Sequence, residues 1–233
     1  RFAASMGFSI EPRTEAAALD QCSVLTQLPV ERCRAEFCKM LCGRWAPRVL
    51  RGQRLLFAPL LPSAAQTSER AWEEAVSAIA AAPDDLCVRL GILCRVVAPG
   101  QLAPLCPDAK TARTATLLAE CAEEPLRALP SVARRWLHRL GAETLQKLVR
   151  VQAAFAAARR DRAKQSELVE FAKTLRRALE NGACCERAQL AVSGEDALAA
   201  GIPAGGEVGA ALESLLDRVI EGTLPNERAV LLE

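Results

Sequence analysis

Residues 142–165, AETLQKLVRVQAAFAAARRDRAKQ, run directly into residues 166–182, SELVEFAKTLRRALENG, and this pair decides the fold class. Apolar residues recur in both at helical spacing over several turns. Ser166 reads as the N-cap of the second segment and Asn181-Gly182 as its terminator, since a serine oxygen takes an orphan N–H and glycine closes a helix easily. SVARRWLHRLG at 131–141 continues the pattern upstream. Downstream, the loop GIPAGG at 201–206 leads into a last helix within residues 205–233.

Further toward the N-terminus, SERAWEEAVSAIAAAPDDLCVRLGILCRVVAPG (68–100) reads as two helices. Ser68 caps the first, Ala82-Pro83 ends it, and Asp84 or Asp85 starts the second. Pro47, Pro59 and Pro62 cut residues 46–63 into brief helices. In LPVERCRAEFCKMLCG (28–43), Pro29 sits at a first turn and Gly43 closes the helix. Val30, Cys33, Phe37, Met40 and Leu41 form its apolar stripe, with Arg32, Glu36 and Lys39 opposite. GFSIEPRTEAAALDQCSVL (7–25) has Pro12 near a helix start and Ser9 as a cap or loop residue. No strand-like alternation of useful length and no fixed-period repeat is visible. The predicted fold is all-α.

Composition agrees. Of 233 residues, 51% are hydrophobic, 25% charged and 4% aromatic, with no tyrosine, which suits packed helices rather than sheet or disorder. No stretch approaches the roughly 18 uninterrupted apolar residues of a membrane span. Arg1 opens directly into an amphipathic run without an initiator Met or a signal-peptide pattern, as expected of a chain entered mid-domain. Ten cysteines include no C-x-x-C pair, and His138 is the only histidine, so neither zinc nor a disulfide scaffold is expected. Reduced, buried cysteines in a cytoplasmic protein are the expectation.

The net charge is only +2, but it is segregated. Residues 30–60 are net +5 and residues 127–164 net +8, between stretches that are net acidic. Arg44, Arg48, Arg51 and Arg54, spaced four, three and three, would share one helical face. Arg159, Arg160, Arg162 and Lys164 form a denser second block. Cations grouped in this way repel unless an anion offsets them, and a nucleic-acid backbone does so.

Three segments resemble one family. RFAASMGFSIEP (1–12) is similar to the R-F-A-x-x-x-G-F-x-I-x-P helix of bacterial tRNA nucleotidyltransferases (CCA-adding enzymes) and poly(A) polymerases. LPVERCRAEFCKMLCG resembles the neck motif that follows, with Glu31, Arg32 and Glu36 at its polar positions. The C-terminal stretch resembles the family's tail, with Gly201, Pro203, Gly205, Gly209 and the Leu224-Pro225-Asn226 turn.

The resemblance implies a neck and RNA-binding helices at 1–60, a degenerate HD-like helical body at 61–150 and a helical tail at 151–233. It implies a tRNA- or RNA-binding portion of an enzyme that adds CCA or A to RNA 3′ ends. The catalytic head, with G-G-x-x-R-D, a metal-binding D-x-D pair and E-D-x-x-R, would lie upstream, and Mg and ATP or CTP would be bound there. The chain is thus expected to be inactive alone, with no catalytic or metal residues and no cofactor, and with RNA and its own head as partners. Many relatives carry an HD metal centre ending L-L-H-D-I-G-K-P. Here Cys94 and Arg95 stand at its His and Asp, and Glu74 at an upstream His, so only a helical scaffold is implied.

Other chemistry finds little support in the residues. Asp84-Asp85 are adjacent, point to different sides of a helix, and suit a cap. His138 lacks an evident carboxylate partner in its helix, which leaves a surface or boundary position. GIPAGG lacks the Lys and Ser/Thr of a P-loop, leaving a tight turn or a backbone contact to RNA phosphate. Trp45, Trp72 and Trp136 are expected to anchor the core rather than stack on bases. The competing readings are an inert protein-interaction scaffold and a vestigial HD-type phosphohydrolase.

Overall fold

A computed structural model describes residues 1–233 as helices joined by turns, without strands. Fourteen α-helices follow in order: α1 Phe2–Met6, α2 Pro12–Asp20, α3 Val30–Leu41, α4 Ala46–Gly52, α5 Pro62–Gln66, α6 Glu69–Ala81 and α7 Leu86–Leu93. The rest are α8 Pro99–Leu102, α9 Ala109–Glu120, α10 Pro130–Ala158, α11 Arg162–Glu180, α12 Gly194–Ala199, α13 Gly206–Glu221 and α14 Arg228–Leu231. None is long and apolar enough to cross a membrane.

Two compact units emerge. Unit 1 comprises residues 1–124 and 147–165, and unit 2 comprises 125–146 and 166–233. This division differs from the 1–60, 61–150 and 151–233 segmentation of the sequence, because each unit gathers residues from two separate stretches.

Unit 1 is built around α7. Every residue from Cys87 to Leu93 is buried, so the helix has no solvent face and reads in sequence as a plain apolar run. Its one charge, Arg89, is 7% exposed and has definite partners. Nη1 donates to the Leu41 and Gly43 carbonyls at 2.7 and 3.2 Å, and Nε to Pro83 O at 3.1 Å. A guanidinium thus satisfies the orphan carbonyls where α3 ends, at the negative end of its dipole. The α3 stripe buries Cys33, Phe37, Met40 and Leu41 as its spacing predicts, while Val30 remains exposed. Trp72 of α6 is 1% exposed and donates its indole N–H to Leu50 O at 3.1 Å.

The caps are mixed in their agreement with the sequence. Ser68 accepts from Ala71 N, and Asp85 accepts from Val88 N, so that pair is half cap as read. Pro12 stands at the first turn of α2, but Glu11 supplies the cap and Ser9 lies in the loop before it. Ser166 is not a cap at all. Helix α11 starts four residues earlier, where Asp161 accepts from Lys164 N at 2.9 Å. The helix ends at Asn181-Gly182 as expected, with Gly182 at φ 59 and Ala183 N bonded back to Ala178 O.

Unit 2 has a smaller core. Cys184, Val192, Leu216, Val219, Ile220 and Leu231 pack together, with Leu190, Leu212, Leu215 and Leu224 against them. Asn226 ties the tail turn to the preceding loop, donating to Gln189 O and accepting from Ala191 N, both at 2.8 Å. His138 is structural too: Nδ1 lies 2.8 Å from Cys185 O and Nε2 lies 3.6 Å from Glu213, the carboxylate its own helix does not provide.

Candidate nucleic-acid interface

The first basic block does not share a helical face. Helix α4 covers only Ala46–Gly52, so Arg44 precedes it and Arg54 lies in the 3-10 turn beyond. Arg48 donates to Gly7 O at 2.9 Å and Phe8 O at 2.6 Å. Arg51 forks onto Glu73 with contacts of 2.7 and 2.5 Å, and this holds the Glu73 carboxyl below its usual range. Arg54 is largely enclosed, bonded to the Ala64, Ala65 and Thr67 carbonyls and to Glu69. Three of the four guanidiniums therefore fasten unit 1 internally. Arg44 has no carboxylate and lies 5.7 Å from the Trp45 ring centre.

Trp45 departs from the expected core role. Trp72 and Trp136 are buried, but Trp45 is 41% exposed, flanked by Arg44 and Arg48. Its indole rests on the backbone of Gly7, where an added Cβ would come within 2.7 Å of Nε1 and where φ is +77. Only glycine allows that contact. Exposed Phe2, Met6 and Phe8 belong to the same N-terminal stretch.

In the neck-like stretch, Glu36 pairs with Arg1 at 3.0 Å, while Glu31 and Arg32 are exposed. Arg32 and Glu36 also line a mostly apolar cavity of about 310 Å³ with Phe37, Met40 and Phe57.

The second block divides in two. Arg159 lies between Glu123, at 2.8 Å, and Glu74, at 2.7 Å, and Arg95 meets Glu123 from another direction at 3.1 Å. Glu74 and Arg95, the positions that the family resemblance sets against HD metal ligands, are thus joined through Glu123 and Arg159 in an ion-pair network. Hydrogen bonding from Arg159, against the opposing effect of burial, holds the Glu123 carboxyl below its ordinary value. Lys164 adds a smaller pull on the same carboxylate. Nowhere do three or more His, Cys, Asp or Glu gather as metal ligands would. Cys94, beside Arg95, is an ordinary half-buried thiol, pushed up to about 12 by desolvation. All ten cysteines are free thiols.

Arg160 and Arg162 are exposed and make no ion pair. Arg160 occupies the closing position of α10 at φ 55, with its N–H bonded to Ala157 O and the next N–H to Ala156 O. That is a Schellman-type closure with arginine where glycine ordinarily sits. A Cβ in the left-handed region costs about 1 kcal/mol, so the side chain is retained against local strain. Sequence spacing missed Glu123 as the hub of the network, because Arg159 lies 36 residues away and nothing local links them.

The GIPAGG loop places Gly205 at φ 116 directly before α13, with no side chain capping the helix.

Comparison with known proteins adds identity to this geometry. The profile described as "Probable RNA and SrmB- binding site of polymerase A" matches residues 7–68. The one described as "tRNA nucleotidyltransferase domain 2" matches residues 111–233, more than half of the chain. A CCA-adding enzyme of Lacticaseibacillus paracasei is 27% identical over 236 residues, covering 100% of this chain and 55% of that protein. A crystal structure of the Bacillus stearothermophilus CCA-adding enzyme in complex with CTP has the same helical fold, with a TM-score of 0.76 at 24% identity. That match covers 99% of this chain and 57% of the other. The chain spans little more than half the length of these relatives.

Proposed function

Because the chain belongs to the tRNA nucleotidyltransferase family, we propose that it is the RNA-gripping part of a template-independent enzyme that adds CCA, or A, to RNA 3′ ends. The observation that carries this reading is the turn at Arg160–Arg162. Arg160 is held in a strained backbone conformation that glycine would relieve, and two guanidiniums are left unpaired beside Arg159, which is fully engaged. Strain kept in order to present a charge points to an anionic partner. Arg44 beside the exposed Trp45 ring adds a cation next to a surface on which a base can stack.

Such a surface reads RNA by backbone shape more than by sequence. The relatives are CCA-adding enzymes, and one was crystallised with CTP. No three or more His, Cys, Asp or Glu gather here as a metal site would need, and the carboxylates that do approach each other, Glu74 and Glu123, are taken by Arg159, so no catalytic step is assigned to these residues. In this reading the metal, the nucleotide and the reacting 3′-hydroxyl are handled by a part of the protein beyond these residues.

The test is tRNA affinity across a salt series for wild type and for the Arg44→Gln/Arg160→Gln/Arg162→Gln variant. Loss of up to three phosphate contacts should flatten the log K against log salt slope by about 2 to 3 and weaken binding at least tenfold at low salt. Unchanged affinity and slope would remove these residues from the interface; salt-insensitive binding by the wild type would refute the reading itself.

A further inference from the structure

Unit 2 contains a cleft of about 890 Å³, within the size range of ligand sites. Its walls come from the start of α10 (Pro130, Arg134), the end of α11 (Thr174, Arg177), the turn Asn181–Cys184 and the turn Gly222–Asn226. The lining includes two arginines and two asparagines, and no acidic residue.

The two arginines are presented differently. Arg134 is half-buried and fixed by one bond, Nε to Ile220 O at 2.8 Å, at the carbonyl end of α13. That bond orients the guanidinium and leaves its Nη groups without a carboxylate. Gly222 makes room for it: φ there is +80, closing α13, and an added Cβ would lie 2.9 Å from Arg134 Nη2. Arg177 is exposed and has no hydrogen bond or ion pair from its side chain. The neighbouring polar groups are otherwise accounted for: Arg135 pairs with Glu221, and the Asn226 amide is engaged with Gln189 O and Ala191 N of the preceding loop. Two unneutralised guanidiniums lining one acid-free cleft repel each other, and each offers N–H donors that match a tetrahedral oxyanion.

We propose that this cleft, which the Asn181-Gly182 turn also lines, binds a phosphate group through Arg134 and Arg177. None of these residues belongs to the two basic blocks that carry the proposed RNA grip. The phosphate has two possible sources, a phosphodiester of the RNA backbone or a free phosphate compound; the first rests on the RNA-binding reading, the second does not.

The experiment uses the full-length protein and Arg177→Gln, a change at an exposed side chain without partners, with thermal unfolding as the folding control. One arm measures tRNA affinity across salt. The other follows the amide resonances of residues 177–183 as inorganic phosphate is added. Loss of one backbone contact should weaken tRNA binding about threefold to tenfold and flatten the salt slope by about 1. That result without phosphate shifts assigns the site to RNA backbone. Phosphate-induced shifts that Arg177→Gln abolishes, with tRNA affinity unchanged, assign it to a free phosphate compound. Unchanged tRNA binding together with absent shifts overturns the proposal. If the wild type binds no tRNA, the RNA reading has failed on its own and the phosphate arm alone decides the cleft.

Discussion

Arginines around Glu123 in unit 1 and arginines lining the cleft of unit 2 are the same residue type in opposite situations. In the first region Arg95 and Arg159 converge on one carboxylate, and Glu74 takes up the rest of Arg159. In the second, Arg134 gives a single N–H to a carbonyl and Arg177 gives none. The contrast teaches that charge density along a sequence says little about which charges remain available. Availability depends on carboxylates brought in from far away, and burial strengthens those pairings while exposure weakens them.

The strongest way to probe the fastening arginines is Arg89→Met. It removes the donors to Leu41 O, Gly43 O and Pro83 O while keeping most of the volume. Unsatisfied buried carbonyls should lower stability by about 2–4 kcal/mol, read as a lower urea midpoint with an unchanged slope. Tolerance of the change would mean that buried arginine is not what closes α3.

A smaller effect, opposite in sign, is expected at the exposed turn. Arg160→Gly relieves the left-handed Cβ and should raise stability by up to about 1 kcal/mol, partly offset by glycine's greater unfolded-state entropy. The same variant should bind tRNA more weakly, with a salt slope flatter by about 1. Gain in stability with full retention of binding would separate the strain from RNA recognition.

Smallest is Arg159→Gln. A partly exposed ion pair contributes about 0.5–1 kcal/mol, even within a network. Because Arg159 depresses the folded Glu123 pKa, its contribution is present above the unfolded glutamate value and disappears as pH falls through the folded one. Wild type and variant should therefore differ at pH 7 and converge on acidification below about pH 4. A difference that persisted at low pH would show that packing of Arg159, whose guanidinium lies 5.4 Å from the Phe155 ring centre, dominates instead.

Much of the fold was legible. The α3 stripe, Ser68, Pro12, Pro47, Pro62 and Asn181-Gly182 each encode a local rule that the helices obey. Ser166 misled because Asp161, five residues before it, caps as well and lies closer to the end of α10. The break between SVARRWLHRLG and the segment after it is real: Gly141, at φ 71 and ψ 165, is outside helical geometry, so α10 is two helical pieces meeting at a kink there. The site was less legible. Helical spacing made Arg48, Arg51 and Arg54 look alike to Arg44, and only partners at Gly7, Glu73 and Glu69 distinguish them. Arg134 and Arg177, 43 positions apart in sequence, drew no notice for the same reason.

The sequence by itself determined that this chain is all helix, roughly where most helices start and stop, and which family it resembles, because these follow from backbone rules and short motifs that act within a few residues. Tertiary structure alone decided which cations are held by the protein and which face outward, that Trp45 lies on the surface, and that two distant arginines line one acid-free cleft. Those outcomes depend on desolvation and on charges adjacent only in space, and no local pattern carries them.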